Sequence, residues 1–245
     1  MTLFKAKPAL VCLLLCVLTA SSWAAMVLEG TRVVVRGGDR ETMVRMSNQG
    51  GTPLVVQSWV DNGDMDRNKS PEQIQVPFIL TPPIARVDPT KGQTVRIYTS
   101  AEGLPNDRET LFWFNALEIP PKTKSAEENV VQFTIRTRIK LFYRPKTLGR
   151  DVPQDAITQV RWTLETDKDG YKVLRAHNDS AYHFTFGQGE TTVNGNTVRL
   201  VGDMALPKQT IDLRAEKGDL SGAKFFKLNY INDYGAGVEF RVDLP

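Results

Sequence analysis

The long alternation between residues 129 and 145 constrains the fold of this chain more than any other stretch. In an extended strand its apolar side chains would share one face, opposite its polar and basic ones. The apolar set is Val131, Phe133, Ile135, Thr137, Ile139 and Leu141. The alternation covers about eleven residues, whereas a usual strand has roughly 5–6. At a sheet edge such a strand offers unpaired N–H and C=O groups to other chains, so the pattern predicts either an interior strand or a binding edge.

The first 24 residues have the features of a secretory signal peptide. Lys5 and Lys7 give a positive start, and an apolar run follows over residues 9–20. Small residues stand at the two positions that a signal peptidase reads, Ser22 and Ala24. We therefore predict a signal peptide over residues 1–24 and an exported mature chain. No later segment approaches the roughly 20 apolar residues that span a bilayer.

Charge and cysteine content narrow the class of protein. The formal net charge of +3 includes Lys5 and Lys7, which leave with the signal peptide. The near-neutral mature chain argues against a broad surface for nucleic acid or anionic lipid. Cys12 and Cys16 both lie in the predicted signal peptide, so we expect no disulfide, and ordinary hydrophobic cores must stabilise the fold.

The rest of the chain consists of short alternating or apolar runs between turn residues, which indicates an all-β protein. Seven or eight such runs occur in each half, and that is the size of one immunoglobulin-like sandwich. We predict two such domains, over residues 25–146 and 147–245. The first strand is expected over residues 26–35.

Catalytic and metal-binding patterns are hard to find. No nucleophile, phosphate-loop or zinc motif occurs, and His177 and His183 are interpreted as structural. Asp61, Asp64 and Asp66 have the wrong spacing for a calcium loop and indicate a hairpin turn. We therefore expect no enzyme, no cofactor and no metal.

Two basic residues differ from the scattered surface charges. Arg32 and Lys140 each lie in a strand among apolar residues. A cation there costs free energy unless it is paired or faces a wet cleft. Each could be an ordinary surface residue of its strand. Without acidic partners, the two would suit capture of a carboxylate by charge-assisted hydrogen bonds.

Several motifs together resemble one known family. Residues 139–145, Ile-Lys-Leu-Phe-Tyr-Arg-Pro, follow a distinctive run over residues 107–121. Both stretches are similar to the signature of the periplasmic pilus-assembly chaperones, the PapD-like family. Matching segments also occur at residues 31–32, 81–86 and 230–235. The resemblance extends in order from Ala25 to the C-terminus.

The resemblance implies a fold and a function. Members have two immunoglobulin-like domains at an angle with a cleft between them. They bind pilus subunits in the periplasm by donor-strand complementation and deliver them to an outer-membrane usher. By the same resemblance, Arg32 and Lys140 would hold the C-terminal carboxylate of the subunit.

The resemblance assigns two further groups of residues. Val131, Phe133 and Ile135 would fill the groove that a missing strand leaves in the subunit. Glu109, Arg144 and Asp233 would form a charged trio that links the domains. The short loop over residues 120–129 is similar to the short-loop branch of the family. The additional basic residues Arg136 and Arg138 have no role by this resemblance.

A different class of protein remains open. An exported sandwich could instead be an adhesin or a carbohydrate-binding module, which would need an exposed aromatic platform. Trp59, Trp113 and Trp162 lie in alternating strands and are predicted to be buried, which disfavours that alternative. A hydrolase is disfavoured by the missing catalytic groups. Under the chaperone hypothesis, the long apolar strand also makes self-association of the free protein an expectation.

Overall fold

The computed structural model describes residues 26–63, 70–121 and 133–244, and almost all of the regular structure in these ranges is β. The first half contains nine strands: β1 Met26–Leu28, β2 Arg32–Arg36, β3 Thr42–Asn48, β4 Leu54–Asp61, β5 Phe78–Thr81, β6 Ile84–Val87, β7 Gly92–Thr99, β8 Thr110–Ile119 and β9 Ile135–Arg144. They form a four-stranded sheet, β1-β3-β7-β5, and a five-stranded sheet, β2-β9-β8-β4-β6. Alternate apolar side chains of both sheets form the first core, which includes Ile97, Phe114 and Leu141.

The second half also contains nine strands: β10 Val160–Thr166, β11 Lys172–Asn178, β12 Phe184–Phe186, β13 Gly189–Val193, β14 Asn196–Leu200, β15 Met204–Ala205, β16 Thr210–Leu213, β17 Phe225–Ile231 and β18 Gly237–Asp243. A three-stranded sheet, β10-β11-β16, packs on a six-stranded sheet that contains the other strands. Leu174, Phe226 and their neighbours form a separate core. The prediction of an all-β chain with two sandwiches is therefore confirmed.

Short 3-10 turns complete the regular structure in the described part of the chain, at Pro71–Gln73, Lys146–Leu148 and Gln154–Gln159. The second and third turns lie between β9 and β10, where the sequence predicts the interdomain connection. No helix in the described residues is long and apolar enough to cross a membrane.

The predicted first strand over residues 26–35 is wrong in one respect, because the segment forms two strands in different sheets. β1 pairs with β3, whereas β2 pairs in parallel with β9. The chain changes sheets at Gly30, whose φ of 106° lies in the region that glycine adopts most readily. Alternation shows which side chains face the core but not which sheet a strand joins.

The two domains meet beside β2. A Cβ atom at Gly235 would lie 2.6 Å from Thr31 Oγ1, so the glycine lets the β17–β18 hairpin approach the start of β2. The backbone N–H of Glu109 also donates to the carbonyl of Ala181, at 2.9 Å. The first contact brings the β17–β18 hairpin next to the start of β2, and the second joins the residue before β8 to the segment before β12.

Candidate functional site at the open edge of strand β9

Strand β9 has a strand neighbour on both sides over less than half of its length. It pairs with β8 from Ile135 to Tyr143. On its other side it pairs with β2 only from Lys140 to Arg144. Within the described residues, the backbone groups of residues 135–139 that face away from β8 therefore have no strand partner. The long alternation forms a partly open edge rather than a fully interior strand.

The apolar face of β9 continues beyond the core of its own domain. Leu141 is fully buried, and Ile139 packs against the same core. Ile135 is 51% exposed and Phe133 is 76% exposed, although both have the same parity in the alternation. Val131, the third predicted groove-filling residue, lies outside the described residues. Large apolar side chains that leave the core in this way indicate a surface for a partner.

Arg32 and Lys140 lie opposite each other in the parallel β2–β9 ladder. Both line an interdomain cleft of about 360 Å³, together with Thr31, Trp113, Arg138, Ile139, Ile231 and Gly235. The ammonium group of Lys140 donates to Thr185 Oγ1 at 3.0 Å. Arg32 Nη1 donates to the carbonyl oxygen of Ile231 at 2.8 Å. The first domain thus supplies the two cations, and the second domain supplies neutral acceptors.

The electrostatics of this pair are unfavourable in the free protein. Among the described residues, neither cation forms an ion pair with a carboxylate. Burial lowers the pKa of Lys140, and the nearby positive charge of Arg32 lowers it further, against a smaller opposing effect of Asp203. Burial also lowers the pKa of Arg32, against the weaker opposing effects of Asp233 and Glu109, and Arg32 Nε is buried without a hydrogen-bond partner. An anion between the two side chains would relieve both penalties.

Glu109, Arg144 and Asp233, the predicted charged trio, lie in contact. Arg144 Nε donates to Glu109 Oε1 at 2.8 Å. Its two terminal nitrogens each donate to one oxygen of Asp233, also at 2.8 Å. Arg144 is 1% exposed. Burial alone would lower its pKa, but the hydrogen bonds and charges of Asp233 and Glu109 outweigh burial and raise it. The guanidinium therefore stays charged and joins β9 to the β17–β18 hairpin.

His183 and Thr185 are interface residues that the sequence does not predict. The backbone N–H of His183 donates to Glu109 Oε2 at 2.9 Å, and its ring Nδ1 lies 3.2 Å from the same oxygen. His183 is 74 residues from Glu109 along the chain, and no local pattern links the two. Thr185 lies two residues further on, in β12, and accepts the hydrogen bond from Lys140. Only the tertiary fold brings these groups together.

The tryptophan prediction needs correction. Trp59, Trp113 and Trp162 are partly exposed rather than fully buried. The guanidinium of Arg136 lies 4.9 Å from the ring centre of Trp59, and that of Arg138 lies 4.1 Å from the ring centre of Trp113. Arginine side chains thus cover these two rings on the outer face of the five-stranded sheet. Arg136 and Arg138 therefore have structural contacts that the sequence does not indicate.

The described residues contain no group of three or more histidine, cysteine or acidic side chains that could hold a metal ion. The site beside β9 combines a pair of cations in the cleft, an open strand edge and, further along the strand, the exposed apolar side chains of Phe133 and Ile135. This set can bind an extended chain that ends in a carboxylate.

Family models cover nearly all of the sequence beyond the first 24 residues. Residues 25–149 match the model described as "Pili and flagellar-assembly chaperone, PapD N-terminal domain". Residues 155–241 match the model described as "Pili assembly chaperone PapD, C-terminal domain".

Individual relatives agree with the family models. The chain is 38% identical to the probable fimbrial chaperone YadV of Escherichia coli K12, over 90% of each chain. It is 41% identical to the chaperone protein FimB/FhaD of Bordetella pertussis, over 91% of this chain and 90% of the relative. A solved YadV chaperone structure superposes with a TM-score of 0.74 at 34% identity, covering 90% of this chain and all of that one.

A further solved structure contains a partner. The Salmonella enterica SafB chaperone, solved in complex with SafA pilin, has a TM-score of 0.72 at 25% identity, over 92% of this chain and 99% of that one. These relatives are chaperones rather than enzymes, adhesins or carbohydrate-binding modules, so the adhesin alternative is not favoured. With both domains matched in order, the chain belongs to the family of PapD-like pilus-assembly chaperones.

Proposed function

We propose that this protein binds pilus subunits through β9 and holds their C-terminal carboxylate between Arg32 and Lys140. The observation that carries the proposal is the position of the open edge, residues 135–139, directly beside two cations that form no ion pair with a carboxylate among the described residues. An extended chain can pair with the edge through backbone hydrogen bonds, which tolerate many side-chain sequences. The two cations then select the chain's end.

The geometry also gives a direction. Arg32 is the first residue of β2, and β2 occupies the partner side of β9 from Lys140 onward. A strand that pairs with residues 135–139 and presents its carboxylate to Lys140 must therefore run parallel to β9. Its last residue meets the start of β2, so the two strands lie end to end along β9. The carboxylate thereby fixes the register of pairing.

Phe133 and Ile135 supply the apolar part of the interaction. Val131 has the same parity in the sequence, and we propose the same role for it. Burial of each such side chain in a subunit groove contributes roughly 1.5–3 kcal/mol. Charged residues at these positions would forfeit that contribution, so the alternation itself has a function in binding. Glu109, Arg144 and Asp233 fix the second domain beside the cleft, where Thr185 orients the ammonium group of Lys140.

The cellular setting follows from the family and the N-terminal sequence. We propose a cleaved signal peptide over residues 1–24, a location in the periplasm and transfer of the subunit to an outer-membrane usher. The short-loop assignment depends on residues that lie mostly outside the described part of the chain. The open edge also provides a site for self-association of the free protein, which a subunit would block.

A peptide-binding experiment tests the carboxylate anchor. The probe is a labelled synthetic peptide with alternating apolar residues, prepared with a free or an amidated C-terminus. We expect the free form to bind, and amidation or Lys140→Ala to weaken binding at least about tenfold. Lys146→Ala, an exposed lysine near the end of β9, is the matched control and should bind normally. Equal binding of the free and amidated peptides would overturn the anchor.

A further inference from the structure

The outer face of the first domain carries a polar network around a buried carboxylate, next to the open edge. The network, here called the Asp61 cluster, consists of Asp61, Asn115, Arg136 and Arg138. Arg138 Nη2 donates to Asp61 Oδ1 at 2.6 Å, and Arg136 Nη2 donates to Oδ2 at 3.1 Å. The side-chain amide of Asn115 donates to Oδ2 at 2.8 Å and accepts two hydrogen bonds from Arg136 through its carbonyl oxygen.

The cluster joins three strands. Asp61 ends β4, Asn115 lies on the central strand β8, and both arginines lie on β9. In the ladder Asn115 pairs with Arg138, so the cluster follows the registered pairing of the sheet. The Asp61 carboxylate therefore reaches across β8 to β9, two strands away. These side-chain hydrogen bonds join two strands that are not neighbours in the sheet, and they hold β9 in place in addition to the backbone hydrogen bonds of the ladder.

Burial shows that the cluster is more than a surface ion pair. Asp61 is 2% exposed and Asn115 is fully buried. Burial would raise the pKa of Asp61, but hydrogen bonds from Arg138, the backbone of Gly63 and Asn115 outweigh burial and lower the pKa. Exposed ion pairs contribute little, whereas hydrogen bonds to a buried carboxylate are among the stronger ones.

The position of the cluster along β9 matters most. Residues 140–143 have strands on both sides, and residues 135–139 have β8 alone within the described part of the chain. Arg136 and Arg138 are the two outward-facing residues at the middle of that one-sided segment. The cluster thus attaches β9 to the sheet in the segment where only one neighbouring strand supports it. In the same segment Arg136 stacks on Trp59 and Arg138 stacks on Trp113.

From these observations we infer that Asp61 is a positioning residue for the subunit-binding edge. Through Arg136 and Arg138 it holds residues 135–139 extended and in register before a partner arrives. A preformed edge binds more tightly than a frayed one because less conformational entropy is lost on binding. The inference rests on the proposed function, and it gives Arg136 and Arg138 a role in preparing the binding strand.

Amide hydrogen exchange on the free protein tests the inference without any partner. Asp61→Asn keeps the shape of the side chain and removes its charge. We expect the amides of residues 135–139 that donate to β8 to exchange about tenfold faster or more, with a much smaller change in β3 and β7 of the opposite sheet. Asp212→Asn is the matched control, because Asp212, in the second domain, likewise receives two arginine hydrogen bonds, in its case both from Arg175. It should leave residues 135–139 unchanged.

Faster amide exchange across the whole first domain would identify Asp61 as a general stabilising residue. Unchanged exchange at residues 135–139 would show that Asp61 does not hold this edge. Either result overturns the inference. If Asp61→Asn fails to fold, Arg136→Gln gives the same test at a partly exposed side chain. The free-carboxylate peptide should bind at least about fivefold more weakly to Asp61→Asn, chiefly through slower association. A Lys140→Ala variant that still binds the peptide would contradict the proposed anchor and leave the exchange result for Asp61 intact.

Discussion

Arg32 and Lys140 face each other across the parallel β2–β9 ladder, and within the described residues neither forms an ion pair with a carboxylate. Two like charges held side by side in a partly buried cleft destabilise the free protein. The same arrangement favours binding of an anion. Stability and binding are therefore opposed at this pair, and substitutions there should separate them.

Replacing Lys140 by methionine should stabilise the free protein and abolish carboxylate binding. The change removes a cation that burial and Arg32 both disfavour, so we expect the free energy of unfolding to rise by about 0.5–1 kcal/mol. The gain should be present below the pKa of Lys140 in the folded protein and should shrink as the pH rises towards 10.5, the ordinary value for lysine. Urea unfolding at neutral and alkaline pH measures both effects. A stability loss would contradict the assignment of Lys140 as an unfavourable charge.

Binding of the free-carboxylate peptide should weaken at alkaline pH. The pKa of Lys140 lies below 10.5 in the free protein, and only the protonated ammonium attracts a carboxylate. Affinity should therefore fall as the pH rises through that lowered pKa. A guanidinium does not titrate in this range, so the variant Lys140→Arg should lose little affinity over the same interval. Parallel pH profiles of the two proteins would assign the titration to another group.

Substitution of Phe133 or Ile135 by serine should impair subunit binding without unfolding the protein. Both side chains are exposed in the free chain, so we expect the free energy of unfolding to change by less than about 0.5 kcal/mol. Affinity for a co-expressed pilus subunit should fall roughly ten- to a hundredfold if each side chain fills the subunit groove as proposed. Co-purification measures the effect, with Val201→Ser as an exposed apolar control in the second domain. Full retention of the subunit by the Phe133→Ser, Ile135→Ser double variant would exclude the groove-filling role.

Removal of the Arg144 side chain should destabilise the contact between the domains. Arg144→Ala leaves the nearly buried carboxylates of Glu109 and Asp233 without their shared partner, and we expect a loss of about 3–5 kcal/mol in the free energy of unfolding. Arg150→Ala removes an exposed arginine that pairs with Asp39 and should cost less than about 1 kcal/mol. Small-angle X-ray scattering should show a wider range of domain arrangements for Arg144→Ala. An unchanged scattering profile would argue that other contacts fix the domain angle.

Local patterns predict the fold of this chain well. Alternation identifies the face of β9 that enters the core, where Leu141 is fully buried and Ile139 packs against the same core. Alternation does not show to which sheet a strand belongs. The change of sheet at Gly30 is visible only from the pairing of β1 and β2 with different strands.

The site is predictable only where its residues fall in one recognisable motif. Lys140 and Arg144 lie within residues 139–145 and are visible in the sequence. Other contacts join residues far apart in the sequence. Lys140 and Thr185 are 45 residues apart, Glu109 and His183 are 74 apart, and Asp61 and Arg138 are 77 apart. Such contacts depend on the docking of two domains and on pairing across three strands, and no short-range periodicity encodes either.

The place where β2 begins has a further consequence. Because β2 occupies the side of β9 from Lys140 onward, residues 135–139 have no strand on that side within the described part of the chain, over a stretch of roughly 16 Å. Its closed end is marked by two cations. The position of a chain bound there is therefore set by its C-terminal carboxylate. An internal segment with the same side chains would collide with the first residues of β2. The protein would thus distinguish the end of a polypeptide from its middle, whatever the identity of the polypeptide.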